Sequence, residues 1–193
     1  MMESQLNNGD FDNAVRALDE GQVILYPTDT IWGLGGNPFD QAVFERINEI
    51  KQRPTDKPFL LLVSNLEQLR YYVADLHPRI ETLISFYTRP MTVIYPNARN
   101  LPDHCLGSNG TIALRVTSDS FCKALIERTG YPLISTSANV SDEPPPSRFG
   151  SISSIIFHKV DYVVKHRQHD MTQSVPSQIF DFDEEGNLKM VRP

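Results

Sequence analysis

Four short stretches of the chain carry side chains able to do chemistry. In KQRPTDKP, Lys51, Arg53 and Lys57 place three cations within seven residues. Lysine is a compact point charge and arginine a planar fork, a combination suited to a polyphosphate. The plainer reading is a helix end, where the dipole favours cations, followed by a solvated face. Pro54 and Pro58 stiffen the segment and fix where the cations point. In PLISTSANVS, the strand residues Leu133 and Ile134 run into Ser135, Thr136, Ser137, Ala138 and Asn139. Hydroxyls donate and accept, and an amide does both through separate atoms. Such a run at a strand end can line a pocket for phosphate oxygens and a small polar ligand. The alternative is a side-chain network closing a loop. No Gly-x-Ser-x-Gly surrounds Ser137, so a nucleophile elbow is excluded.

The other two stretches are TIALRVT and YPTDTIWGLGG. Arg115 sits inside an apolar strand, where an unpaired charge is costly. It either pairs with an acid as structure or offers its guanidinium to a carboxylate ligand. Thr28 and Thr30 supply hydroxyls, and Gly33, Gly35 and Gly36 permit close backbone approach. No Gly-Lys-Ser/Thr follows, so this is not a P-loop, and the glycines come too far after the strand for a dinucleotide fingerprint. Alone they read as a tight turn. HRQHD, His166 to Asp170, lacks a strong metal-ligand spacing and reads as an exposed loop, and Trp32 reads as a core plug.

The elements that must position these groups alternate between strand and helix. Phe11, Val15 and Leu18 define a helix stopped at Gly21, and QVILYP a strand ending at Pro27. Asp40 caps a helix over QAVFERINEIKQR, in which Val43, Ile47 and Ile50 share a face. FLLLVS is a continuous apolar run, the mark of a strand covered on both faces. Two helical patterns, NLEQLRYYV and PRIETLISFY, precede strands at MTVIYP, TIALRV and PLIST, with a helix at DSFCKALIERTG between the last two. DYVVK, SQIFDF and LKMVR add short strands in the tail, and SDEPPPSRFG is a Pro-rich loop. The expected class is α/β with a mixed sheet flanked by helices.

Length and composition suit one globular domain over residues 1–193, at 40% hydrophobic and 22% charged. A net charge of −6 argues against wholesale wrapping of nucleic acid but leaves room for a local basic pocket. No apolar run reaches a membrane span, and the polar start shows no signal peptide. Cys105 and Cys122 do not make a disulfide framework and read as reduced thiols. A cytoplasmic protein is expected.

Taken in order, ILYPTDTIWGLGG, IKQRPTDKPFLLLV, ALRVT and PLISTSANVS resemble the YrdC-like threonylcarbamoyl-AMP synthases. Lys51, Arg53, Ser137 and Asn139 match that family's Lys-x-Arg and Ser-x-Asn signature. VPSQIFDF and LKMVRP are similar to its closing strand and terminal Arg-Pro. The resemblance implies a twisted mixed sheet with a large concave cavity. It implies synthesis of threonylcarbamoyl-AMP and pyrophosphate from L-threonine, bicarbonate and ATP with Mg²⁺. The product would pass to a tRNA-modification transferase complex downstream.

It also implies site roles. Lys51, Arg53, Ser137 and Asn139 would be catalytic. The ATP set would comprise these four with Lys57, Thr111, Thr117 and Arg192. Thr30, Arg115, Ser135 and Ser177 would hold threonine, with Ser177 and Arg192 closing over the site from the tail. No direct protein ligation of the metal is expected. Two departures stand out: Arg89 and Asp142 occupy positions where the family commonly has glycine, and Arg89 adds a cation in its turn. The alternatives are a double-stranded RNA-binding or ribosome-maturation protein of the same fold, and a carbamoyl-adenylate-forming domain like that of hydrogenase maturation proteins. The acid balance weakens direct RNA binding. The second alternative belongs to much longer chains.

Overall fold

The computed structural model describes residues 8–53, 58–183 and 185–193. Lys57 and Pro54 lie outside the described residues. Helix α1 spans Asn8–Asp19, and Gly21 follows at φ +69°, the left-handed region that suits a helix stop. Strand β1 is Ile24–Tyr26 and β2 is Gly33–Gly35. Helix α2, Gln41–Lys51, is capped by Asp40, whose carboxylate accepts from the Ala42 N–H. It ends where Gln52 turns left-handed at φ 51°, so Lys51 is its last residue and Arg53 lies beyond the cap. There follow β3 (Leu60–Val63), α3 (Leu66–Tyr72), α4 (Pro78–Phe86), β4 (Met91–Tyr95) and β5 (Ile112–Val116). Then come α5 (Ser120–Thr129), β6 (Leu133–Ser137), α6 (Ser154–Lys159), β7 (Tyr162–Val163), β8 (Gln178–Phe182) and β9 (Leu188–Arg192).

The strands form one mixed sheet in the order β7-β1-β2-β6-β3-β5-β4-β8-β9. Two expectations change. The glycine-rich segment is not all turn, because Gly33–Gly35 pairs antiparallel with both β1 and β6. The reason is close packing: a Cβ at Gly35 would lie 2.5 Å from the Tyr26 ring, and one at Gly36 would lie 2.3 Å from a Val43 methyl. The short α6, with Ser153 as its N-cap, carries no expected counterpart.

Side chains alternate across the sheet. Leu61 and Val63 enter the core beneath α2, α3 and α4, and Leu62 enters a second core beneath α1 and α5. The run FLLLVS is therefore covered on both faces. The second face is covered only in part. Ile24, Tyr26, Leu62 and Leu133 meet α1 and α5, and Leu60 packs at the edge of that core, but Gly33, Ala113, Ser135 and Ser137 on the same face do not join it. Those residues are mostly small, and a concavity remains above them.

Candidate active site

That concavity is a cavity of about 580 Å³. Its floor is Gly33, Leu60, Thr92, Ala113, Arg115, Ser135 and Ser137, from strands β2 to β6. Lys51 and Arg53 enter from the end of α2, and Pro176, Ser177 and Arg192 from the tail. Asp142, Glu143 and Pro145 form part of its rim. Nine of the residues singled out in the sequence are thus brought together: Thr30, Lys51, Arg53, Arg115, Ser135, Ser137, Asn139, Ser177 and Arg192.

Others are not. Thr111 and Thr117 flank β5 on either side of Arg115 but do not line the cavity. Thr117 Oγ1 instead accepts from the Asp119 N–H at the start of α5, and the Thr111 carbonyl accepts from Gly107 N. Arg89 is exposed and stands outside the lining. His166 stacks on Phe121 and Arg167 pairs with Asp119 and Asp170, so HRQHD serves structure. Trp32 does both: it is 6% exposed, packs on Phe149, and lines the cavity.

Four cations, Lys51, Arg53, Arg115 and Arg192, face two lining carboxylates, Asp142 and Glu143. In a chain of net charge −6 this is a local excess of positive charge. Lys51 is 3% exposed, and its Nζ donates to the carbonyl oxygens of Ser137 at 2.6 Å and Asn139 at 2.8 Å. Burial, with Arg53 nearby, lowers its pKa to about 8. Arg53 donates to the Pro58 carbonyl at 2.9 Å and lies 4.8 Å over the Phe59 ring, which fixes its plane.

Asn139 Nδ2 donates to the carbonyls of Val140 and Glu143, while its Oδ1 is buried with no hydrogen-bond partner. The amide therefore shapes the 139–143 loop. Within that loop Asp142 adopts φ +67°, a conformation that favours glycine.

At the other end, Thr30 is buried, with its Oγ1 2.9 Å from Thr28 Oγ1. Arg115 pairs with Asp29 at 3.2 Å and still lines the cavity, so the two readings of this arginine are not exclusive. Ser177 Oγ meets Thr92 Oγ1 at 2.8 Å, and Arg192 donates to the Ser177 carbonyl at 2.9 Å. Burial and the neighbouring Arg115 hold the Arg192 guanidinium below its ordinary pKa. Two guanidinium groups thus converge on one end of the cavity, an arrangement suited to an anion.

Sequence reasoning missed Asp29 and gave Thr92 no part in the site. Asp29 stands between the flagged threonines of TDT, which was the available signal. Among the described residues no cluster of three or more His, Cys, Asp or Glu is placed to hold a metal ion.

A family model, Sua5/YciO/YrdC, described as telomere recombination, matches residues 16–193. The threonylcarbamoyl-AMP synthase of Pseudoalteromonas translucida (strain TAC 125) is 36% identical over 171 residues, 87% of this chain and 90% of that protein. The fold is similar to P. abyssi Sua5 complexed with L-threonine, with TM-score 0.85 and 25% identity over 98% of this chain. The chain spans only 55% of that longer protein. E. coli YciO gives TM-score 0.79 and 26% identity over 94% of this chain and 87% of YciO.

Proposed function

The chain belongs to the Sua5/YciO/YrdC family, and from that premise we propose that it is a threonylcarbamoyl-AMP synthase, a nucleotidyltransferase acting in tRNA modification. The observation that carries the reading is one cavity with cations at two separate places. Lys51 and Arg53 converge at the end of α2, and Arg115 and Arg192 approach each other at the tail side.

In this reading the first pair takes the triphosphate of ATP and the second takes the carboxylate of L-threonine. The threonine amine adds to CO₂ with loss of a proton, or condenses with bicarbonate with loss of water, to give a carbamate. A carbamate oxygen then attacks the α-phosphorus, and pyrophosphate leaves. Such a transfer depends on positioning and on stabilising charge rather than on a protein nucleophile. Lys51 and Arg53 supply the charge, with Lys57 assisting. Ser137 and the loop shaped by Asn139 hold phosphate oxygens, and Thr30, Ser135 and Ser177 bind the polar groups of threonine. Thr111 and Thr117, which lie outside the cavity lining, take no part in binding in this reading.

When bound with ATP, Mg²⁺ would offset charge on the triphosphate. Its remaining positions would be filled by water rather than by protein side chains, as magnesium ordinarily keeps several waters. The activity resides in one domain, and its product passes to a transferase acting on tRNA in the cytoplasm. No helix among the described residues is long and apolar enough to cross a membrane. An RNA-binding role without synthase activity is not favoured, since the cations lie inside a cavity sized for small molecules.

The test is pyrophosphate release from ATP, bicarbonate and Mg²⁺, with and without L-threonine. Release that requires threonine is expected. Release that ignores threonine, or none with ATP bound, contradicts the reading.

A further inference from the structure

The buried ion pair beneath the cavity has a geometry that a purely structural pair would not need. The side chains of Arg115 and Asp29 are 2% and 6% exposed, and Arg115 Nη2 lies 3.2 Å from Asp29 Oδ1. Arg115 lines the cavity, whereas Asp29 does not. A guanidinium carries five N–H donors in a fixed fork. The contact at Nη2 is an ion pair without hydrogen-bond geometry: Arg115 Nε and Asp29 Oδ1 are both buried with no hydrogen-bond partner. A buried cation left this incompletely paired is costly unless a further acceptor arrives.

Asp29 is itself held firmly. Its Oδ2 accepts from the Ser118 N–H at 3.0 Å and from Ser118 Oγ at 3.3 Å. Next to it in the turn, the Thr28 carbonyl accepts from Arg167, which also pairs with Asp119 at 2.9 Å. The turn carrying Asp29 is thus fastened to the junction of β5 and α5 at two points. The following residue, Thr30, lines the cavity.

We propose that Asp29 is a positioning residue for the amino-acid subsite: its carboxylate charge draws in the Nη2 side of the Arg115 guanidinium and so orients the group toward the substrate α-carboxylate, in register with Thr30. The inference rests on the synthase reading. The charges support it, since Arg115 and Arg192 together balance Asp29 and one incoming carboxylate. Without Asp29 the guanidinium loses the charge that orients it and the two halves of the subsite lose their link.

Asp29→Asn keeps the shape and an acceptor for Ser118 but removes the charge. It is expected to raise the KM for L-threonine at least about tenfold, as for loss of one partner of a buried charge pair, with the KM for ATP unchanged. In an Arg115→Ala background the same change should alter the threonine KM less than about twofold, because Asp29 acts through Arg115. If D29N fails to fold by thermal melting, Ser118→Ala, which removes one support of Asp29, should shift the threonine KM in the same direction by about two- to threefold. A wild-type threonine KM in folded D29N, a parallel rise in the ATP KM, or full additivity with R115A overturns the inference while leaving the synthase reading intact. An unchanged threonine KM in S118A, where that variant replaces D29N, overturns it too. Wild-type protein without threonine-dependent pyrophosphate release overturns both.

Discussion

The ammonium of Lys51 lies 2.6 Å from the carbonyl oxygen of Ser137, joining the last residue of α2 to the last residue of β6. The same ammonium reaches the Asn139 carbonyl, and the Lys51 carbonyl accepts from Ser141 N in return. Two segments that are distant in the chain are thereby clamped at one wall of the cavity. An ammonium has three donors, and two are spent on this clamp. Under the proposed function, the third would meet a phosphate oxygen.

Replacing Lys51 with Ala should therefore remove both the charge and the clamp. We expect pyrophosphate release to fall at least about 100-fold, with far-UV circular dichroism unchanged. Arg53→Ala should show a similar loss without disturbing the 137–141 loop. Full activity in either variant would remove that residue from the triphosphate role.

The lowered pKa of Lys51, about 8, gives ATP binding a pH signature. Triphosphate favours the protonated ammonium, so affinity should be constant below pH 8. It should then weaken by up to about tenfold per unit as pH rises through that value. Stability runs the other way. The folded protein binds fewer protons at this site than the unfolded chain between about 8 and the ordinary value of 10.5, so the contribution of Lys51 to stability rises with pH there. Calorimetric titration of ATP from pH 7 to 9, beside denaturant melts of wild type and Lys51→Met, measures both.

Asp142 stands at φ +67° on the rim of the cavity that Lys51 and Arg53 also line. Asp142→Gly relieves a backbone conformation that L-residues adopt at a cost and removes a like charge from the path of ATP. We expect a gain of up to about 1 kcal/mol in stability and tighter ATP binding, most visible at low Mg²⁺. Looser binding would show that the carboxylate assists the metal-bound nucleotide instead.

Gly35→Ala tests the packing that makes β2 a strand. The new Cβ would lie 2.5 Å from Cε1 of Tyr26, a fully buried ring whose hydroxyl donates to the Ile134 carbonyl. A loss of about 1–3 kcal/mol is expected from denaturant melts, the usual cost of overpacking. An unchanged midpoint would mean that the ring can shift freely.

Much of this architecture was legible in the sequence where local signals agree. Asp40, the Val43-Ile47-Ile50 spacing and the terminal Lys51 mark α2 from cap to cation. The hydroxyl run after Ile134 marks the cavity end of β6. What escaped depends on partners far away in the chain. Gly33–Gly35 has no intrinsic strand preference and is held as a strand by its neighbours on both sides and by the Tyr26 ring. Thr117 directly follows β5 two residues after Arg115, yet the N-cap of α5, Asp119, claims its hydroxyl. The Asp29 partner of Arg115 could not be read, because no periodicity links a turn near the start of the chain to a strand in its middle.

The most direct test of the central claim follows the carbon. Incubating the protein with ¹³C-bicarbonate, L-threonine, ATP and Mg²⁺, and analysing the small molecules by mass spectrometry, should yield threonylcarbamoyl-AMP with the label in its carbamoyl group. AMP and pyrophosphate without any labelled adenylate, or labelled product formed equally well by a Lys51→Ala, Arg53→Ala double variant, would contradict the account.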